Sequence, residues 1–195
     1  MKIAYLAWGS LLWDYTKLNL KSSWKNSGLQ LPLNFSRISD RGKGRLTLVI
    51  DNETGKLNDT YIAKTKTSNL NKAISNLKTR EKTKKSSIGY VNLLEKSSRT
   101  KLLKGFQIDQ IVNLAKENNL DAIIWTDIPP NFDEITGMKI NSINAMKYID
   151  SKKDKKKTYI KIIKYIFLCK IYGKIHTPIS NTLINKLLCN NINKN

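Results

Sequence analysis

The amino-acid sequence predicts an α+β fold, with a mainly antiparallel, barrel-like β core that is closed or nearly so and is flanked by helices. Strand signals dominate the first third of the chain, helical signals dominate its last part, and no strand–helix–strand repeat is evident. The length of 195 residues suits one domain with its own core and a small appendage. We therefore expect one domain at residues 1–135 and a helical C-terminal extension, packed on it, at residues 136–195.

The strands are predicted from apolar and β-branched runs that end at turn residues. Residues 51–55 form a turn-rich segment that would join two of these strands as a hairpin. The predicted strands are residues 2–7, 31–38, 45–50, 57–64, 88–94 and 122–125.

The helices are predicted from apolar residues at helical spacing. Leu70, Ala73, Ile74 and Leu77 indicate a helix that runs out near Glu81 and is capped by Ser68 or Asn69. A second helix is expected at residues 109–117, and the chain is expected to be helical from about residue 140 onward. Thr177 followed by Pro178 is typical of an N-cap and a first-turn proline at the start of the final helix.

The charge of the chain is strongly positive. Lys and Arg number 35 against 15 Asp and Glu, for a formal net charge of +20. Such an excess attracts nucleic acid, anionic lipid or acidic metabolites, but the richness in Lys, Asn and Ile is also the composition of an AT-rich genome. A functional surface and compositional drift both stay open. Lys outnumbers Arg, the usual choice for bidentate phosphate recognition, so nucleic acid is an admissible but not a favoured partner.

The cysteines and the apolar segments point to a cytoplasmic protein. Cys169 and Cys189 form no CxxC pair and predict no disulfide framework, which favours a reducing compartment. The most apolar late stretch, residues 159–175, is interrupted by four lysines, so we expect no membrane partner. His176 is the only histidine, and with two scattered cysteines it makes no zinc set; a Cys169–His176 pair lacks an evident orienting acid.

The first candidate functional segment follows the first strand. That strand runs directly into Trp8, Gly9, Ser10 and Leu11. Glycine lets the backbone turn with its N–H groups pointing outward, and serine adds a hydroxyl, so such a turn can hold a carboxylate. An ordinary turn is the alternative interpretation.

The second segment lies in the second predicted strand. Strict alternation places Phe35, Arg37 and Ser39 on one face, where an arginine beside an aromatic ring can clamp an anion. The alternative is that Arg37 lies at a strand end and reaches solvent.

The third segment is the end of the first helix. Glu81 lies four residues after Leu77, so it is expected on the same side of the helix, toward the sheet. A carboxylate on an inward face is either a paired structural charge or a general base.

The order of these segments resembles the gamma-glutamylcyclotransferase superfamily, in particular its bacterial ChaC-like branch. That family opens with a strand ending in Tyr-Gly-Ser-Leu, and Trp8-Gly9-Ser10-Leu11 stands in that place, followed by Leu12-Trp13. Its second segment has a Phe and a Ser ahead of an Arg-Gly pair. Phe35, Ser39 and Arg41-Gly42 are similar to it.

The family's catalytic glutamate follows a helix, in a Leu-x-x-Arg-Glu-like motif, before a strand that contains Tyr. Leu77, Arg80, Glu81 and Tyr90 resemble that pattern. Together these motifs cover about the first half of the chain. Tryptophan at position 8, where the family usually has tyrosine, keeps the bulk but loses the hydroxyl, which leaves the substrate open.

The resemblance implies a β core of the gamma-glutamylcyclotransferase type and an enzyme that cleaves a gamma-glutamyl amide by cyclising it to 5-oxoproline. Glu81 would be the general acid and base, and no metal or organic cofactor would be needed. The substrate would be a small gamma-glutamyl compound such as glutathione or a gamma-glutamyl amine. Its binding residues would be Trp8, Gly9, Ser10, Leu11, Arg37, Ser39 and Tyr90.

Two alternatives stay open beside this reading. One is a catalytically idle or divergent member that binds nucleic acid or another polyanion through its Lys-rich surface. The other is an enzyme of the same fold that acts on a different amine-containing substrate.

Overall fold

The structure is a computed structural model, and it describes residues 1–39, 44–152 and 156–192. The Arg41-Gly42 pair of the family resemblance lies outside the described residues.

The fold is α+β, as predicted, with seven strands and six α-helices in the described part of the chain. The strands are β1 (Ile3–Ala7), β2 (Lys25–Ser39), β3 (Arg45–Ile50), β4 (Lys56–Lys64), β5 (Ile88–Asn92), β6 (Ser97–Arg99) and β7 (Ala122–Thr126). The helices are α1 (Leu70–Glu81), α2 (Gly105–Glu117), α3 (Phe132–Thr136), α4 (Ser142–Asp150), α5 (Lys156–Gly173) and α6 (Pro178–Ile192). Short 3₁₀ turns lie at Gly9–Leu12 and Lys85–Ser87.

The strands form one mixed sheet in the order β3-β2-β4-β1-β7-β5-β6. β1 pairs antiparallel with β4 and parallel with β7, whereas β2–β3, β5–β6 and β5–β7 are antiparallel. Over the described residues the sheet is not closed into a barrel, since the strand order ends at β3 on one side and β6 on the other. The barrel-like core is therefore not confirmed. Strand-forming patterns identify strands but carry no information about which strand lies beside which.

The chain divides into two compact units, each made of two separate segments. The first unit contains Met1–Leu31 and Asp59–Ile128, and the second contains Pro32–Asn58 and Pro129–Asn195. The long strands β2 and β4 contribute residues to both units. The domain division predicted after residue 135 stays a prediction.

The core of the first unit is built around β1, whose five residues are all buried. A strand that is buried on both faces reads as a continuous apolar run, which is why residues 3–7 are apolar without alternation. α1 covers β1 with Ala73, Ile74 and Leu77, and the Tyr5 hydroxyl donates to the Ala73 carbonyl at 3.1 Å. Burial raises the pKa of Tyr5, so the hydroxyl stays protonated and able to donate.

In the second unit, α5 packs an aromatic residue among the strand side chains. Tyr165 meets the Phe35 ring edge-on at 6.1 Å between centroids, and its hydroxyl accepts from the Leu48 amide at 3.4 Å. The Arg45 guanidinium lies over the Tyr165 ring, 4.1 Å from the ring centroid. A cation over an aromatic face is stabilised by the ring quadrupole, so Tyr165 anchors both β2 and β3 to α5.

Two strands differ from the prediction, since β2 begins earlier than expected and β6 was not predicted. β2 begins at Lys25, six residues early, because its polar first half is paired across to β4 through side chains. Ser27 and Thr60 share a hydrogen bond of 2.7 Å, and the Gln30 amide donates to Asp59 at 2.9 Å. Such cross-strand polar pairs stabilise a strand without an apolar pattern. β6 is three residues long and has no apolar residue, so no periodicity marked it.

No helix of the described ranges is both long enough and apolar enough to cross a membrane.

Gly89 of β5 lies directly opposite Trp125 of β7, under its indole ring. A β-carbon at Gly89 would lie 2.3 Å from the Cε2 and Nε1 atoms of Trp125, which is fully buried. We expect Gly89→Ala to lower the free energy of unfolding by about 1–3 kcal/mol, because the enclosed ring has little room to shift. Urea denaturation measures it. The control is Gly105→Ala at the start of α2, where a β-carbon meets nothing within 4 Å. Equal stability of Gly89→Ala and the parent would contradict the close approach.

The final helix begins with the predicted N-cap. The Thr177 hydroxyl accepts from the Ser180 amide at 3.1 Å, and the Ser180 hydroxyl accepts from the Thr177 amide at 2.9 Å. We expect Thr177→Val, which keeps the shape and removes the acceptor, to cost about 0.5–2 kcal/mol of stability by thermal or urea unfolding. Thr79→Val, at an exposed position of α1, is the control and should stay within about 0.5 kcal/mol of the parent. A Thr177 variant as stable as that control would show that the cap contributes nothing.

Candidate functional site

The turn after β1 is shaped by one glycine. Trp8 is extended, with φ of −149° and ψ of 170°, and Gly9 then takes a φ of +60°. This left-handed conformation is unfavourable for residues with a β-carbon, so glycine allows the chain to leave the sheet sharply and enter the 3₁₀ turn. Leu11 is buried, whereas Ser10 is half-buried. The turn closes through the Asp14 amide, which donates to the Ser10 carbonyl at 2.9 Å.

Arg80 connects this turn to Glu81. Its Nη2 donates to the Ser10 carbonyl at 3.0 Å and lies 3.1 Å from the Ser10 Oγ, while its Nη1 donates to Glu81 Oε1 at 2.8 Å. Its Nε donates to the Asp14 carbonyl at 2.8 Å, and the Asp14 carboxylate lies 3.4 Å from Nη2. Because the guanidinium is a rigid planar fork, one side chain sets the positions of the turn and of the Glu81 carboxylate together.

The three charged side chains of this cluster are exposed to solvent to different degrees. The Arg80 side chain is 9% exposed, the Glu81 side chain 19% and the Asp14 side chain 63%. Glu81 is therefore largely buried beside a cation and still open to solvent on one side. Of the two interpretations that the sequence left open, the paired charge is present, since Glu81 Oε1 lies 2.8 Å from Arg80 Nη1.

Two properties of α1 place Glu81 beside the turn. They are the side of the helix on which Glu81 lies and the residue at which the helix ends. Leu77, one turn earlier on the same side, is fully buried. Lys82 takes a left-handed conformation with a φ of 51° and ends the helix immediately after Glu81. The amide of Thr83 then bonds back to the Lys78 carbonyl at 3.1 Å, which closes the helix end. Glu81 is thus the final helical residue, held next to the turn by Arg80.

Tyr90 lies in the same unit as this cluster. It sits on β5, opposite Ile124 of β7 and Arg99 of β6, and packs against the core that contains Leu11 and Leu77. The Arg99 guanidinium lies over the ring, 5.0 Å from its centroid. Trp8, also predicted to bind substrate, is buried at the end of β1.

Arg37 and Ser39 lie in the second unit, and the predicted face of β2 is wrong. The pairing of β2 with β3 runs from Asn34 opposite Val49 to Arg37 opposite Thr47, so β2 has one extra residue there. This β-bulge reverses the alternation. Arg37 and Ser39 therefore share the side of Asn34, opposite to Phe35, and Arg37 Nη1 donates to the Pro129 carbonyl at 2.7 Å. A bulge has no signature in this segment, so alternation alone could not reveal it.

The sequence missed Arg80 as the organiser of the site. The family motif includes Arg80 only as the residue before Glu81, and it does not include Asp14. The available signal was an arginine next to an inward carboxylate at a helix end, since a buried charge requires a partner.

The Cys169–His176 pair has no support in the structure as a nucleophilic site. Cys169 is fully buried, and burial raises the pKa of its thiol to about 12, so the thiol stays protonated at neutral pH. His176 is exposed and uses its backbone amide to donate to the Asn58 side chain. Within the residues that the structure describes, no three His, Cys, Asp or Glu side chains group as a candidate metal site.

Comparison with known proteins adds no relative to this geometry. No protein-family model matches the chain, and neither a curated protein nor a solved structure matches it.

Proposed function

We propose that this chain is a gamma-glutamylcyclotransferase-like enzyme that cleaves a gamma-glutamyl amide by intramolecular cyclisation to 5-oxoproline, with Glu81 as general acid and base. The observation that supports this proposal is the Arg80 bridge. The Arg80 guanidinium donates hydrogen bonds both to the Glu81 carboxylate and to Ser10 in the turn at Gly9–Leu12, called here the Ser10 turn. These two segments of the family resemblance are far apart in sequence.

The reaction needs a proton acceptor but no enzyme nucleophile. The alpha-amine of the glutamyl group attacks its own gamma-carbonyl carbon, which forms the C–N bond of the five-membered lactam. The amide bond to the leaving amine then breaks. Because both reacting groups belong to one molecule, the protein has to hold them in contact, and orientation supplies much of the rate.

A single carboxylate can carry both proton transfers. Glu81 first takes a proton from the substrate ammonium, which frees the amine to attack. It then gives that proton to the nitrogen of the leaving amine. The ring nitrogen still carries one proton more than a lactam, and Glu81 passes this second proton to the released amine, which departs as an ammonium ion and leaves the carboxylate regenerated. The Arg80 salt bridge fixes where that carboxylate stands, and the partial exposure of the side chain leaves an approach for substrate.

The Ser10 turn is the proposed holder of the substrate's alpha-carboxylate, through the amides of Gly9, Ser10 and Leu11. Backbone N–H groups in a tight turn bind anions with fixed geometry. Trp8 would supply a buried wall at the base of the turn. Tryptophan stands where the family usually has tyrosine, and the proposed substrate class is gamma-glutamyl amides.

Glu81→Gln tests the catalytic role. Glutamine keeps the shape and hydrogen bonding but cannot accept the ammonium proton, so we expect 5-oxoproline formation to fall by about 10²-fold to 10⁴-fold. The measurement is chromatographic detection of 5-oxoproline from a panel of gamma-glutamyl amides that includes glutathione. The matched control is Glu117→Gln, an exposed glutamate that is also the final residue of its helix. Unchanged turnover in Glu81→Gln, or no 5-oxoproline from the parent on any panel member, would remove the proposal.

Arg80→Lys tests the positioning role. Lysine keeps the charge but has no planar fork, so it cannot bridge Ser10 and Glu81 at once. We expect a loss of about 1–3 kcal/mol in stability from the broken charge-assisted hydrogen bonds, and a fall in kcat that exceeds any change in KM. Asp14→Asn is the control, since it keeps the backbone carbonyl that accepts from Arg80 Nε and removes only an exposed ion pair, which is worth at most about 1 kcal/mol. Arg80→Lys with the kcat of the parent would show that the bridge is purely structural.

A further inference from the structure

The outer side of α5 carries an exposed stripe that mixes apolar and basic residues. Ile160, Phe167 and Ile171 are 51%, 52% and 56% exposed, although each is a residue type that normally lies in a core. With Lys164 they are spaced four, three and four residues apart, which places them on one helical face. The stripe from residue 160 to residue 171 is about 16 Å long at the rise of an α-helix.

The same side of α5 is basic, and the helix itself contains no aspartate or glutamate. Lys157 and Lys161 flank the stripe, and together with Lys164 they are exposed. The chain after Asp154 contains nine lysines and no aspartate or glutamate. The opposite side of the helix is buried, with Ile162, Ile166 and Cys169 in the interior of the unit. The exposed face is therefore a separate feature from the packing face, and its charge has one sign.

We infer that this face of α5, defined by Lys157, Ile160, Lys161, Lys164, Phe167 and Ile171, lies on an anionic lipid surface. Helices that bind in the interface place apolar side chains at the boundary of the acyl chains and lysines at the phosphate level. The long lysine stem lets the ammonium reach the headgroups while its methylenes stay in the apolar layer. The apolar side chains of the face then contact acyl chains, and its lysines contact phosphate groups. Four lysines interrupt residues 159–175, and on that ground the sequence predicts no membrane partner. Those lysines exclude a span but suit a helix that lies on the bilayer surface, so this proposal departs from that prediction.

Other occupants fit the face less well. A second copy of the chain would bring the lysines of two identical faces together, which repels without an acid to pair them. A nucleic-acid backbone would pair with the lysines but leave Ile160, Phe167 and Ile171 without partners, and α5 has no arginine for bidentate phosphate contact. The interleaving of apolar and basic residues is what favours the lipid surface.

The experiment is co-sedimentation of the full chain with vesicles of phosphatidylcholine alone and of phosphatidylcholine with phosphatidylserine, at physiological salt. We expect binding to the phosphatidylserine vesicles alone. Lys157→Gln/Lys161→Gln/Lys164→Gln should weaken it by about 10²-fold, since each lysine near an anionic surface contributes about fivefold. The control Lys64→Gln/Lys66→Gln/Lys72→Gln removes the same charge from exposed positions elsewhere and should bind as the parent does. Equal losses in both triples would mean net charge alone acts, and would overturn the assignment.

A second variant separates the lipid surface from a polyanion. Ile160→Ser/Phe167→Ser/Ile171→Ser keeps every charge and changes exposed residues only, so its circular dichroism should match that of the parent. We expect it to lose most of its vesicle binding. A variant that binds vesicles as the parent does, or a parent that binds a DNA duplex but no vesicle at physiological salt, would overturn the proposal and assign the face to polyanions. An absence of vesicle binding in the parent overturns it outright.

Discussion

The burial of β1 is the constraint on which the first unit depends. All five of its residues are enclosed between β4 on one side and β7 on the other, with α1 against it. Every backbone amide and carbonyl of such a strand requires a partner, since an unpaired one has no water to bond to. The two neighbouring strands supply those partners, and their different directions make the sheet mixed. The chain leaves this enclosed strand at Gly9, so the position of the candidate turn follows from the burial of the strand before it.

The Arg80 guanidinium is the buried polar group on which the candidate site depends. Its side chain is nearly enclosed, and a buried cation is costly unless its donors are used. Arg80 uses them on two backbone carbonyls, a hydroxyl and a carboxylate, so the charge is both neutralised and hydrogen-bonded. The same contacts that make the arginine tolerable also place Glu81. The stability of the folded chain and the position of the Glu81 carboxylate are consequently linked, and we expect a variant of Arg80 to change both.

Part of the positive charge is spread over the surface of both units, and part is concentrated on the outer face of α5. Lysines are exposed on both units, including Lys64, Lys66 and Lys72 far along the sequence from the C-terminal helices. A diffuse excess of this kind agrees with compositional drift. On the outer face of α5, lysines alternate with three exposed large apolar residues, and drift in charge does not by itself leave Ile160 and Ile171 in solvent.

The local elements were predictable from the sequence alone. β3 has the predicted bounds, α1 ends at Glu81, and Thr177 caps the helix that begins at Pro178, because apolar periodicity and capping chemistry are properties of neighbouring residues. The tertiary structure decided the parallel pairing of β1 with β7, the reversal of β2 at its bulge and the partners of Arg80. Arg80 reaches Ser10 across 70 positions of sequence. Contacts at that separation form only once the strands and α1 have packed, and no local pattern encodes them.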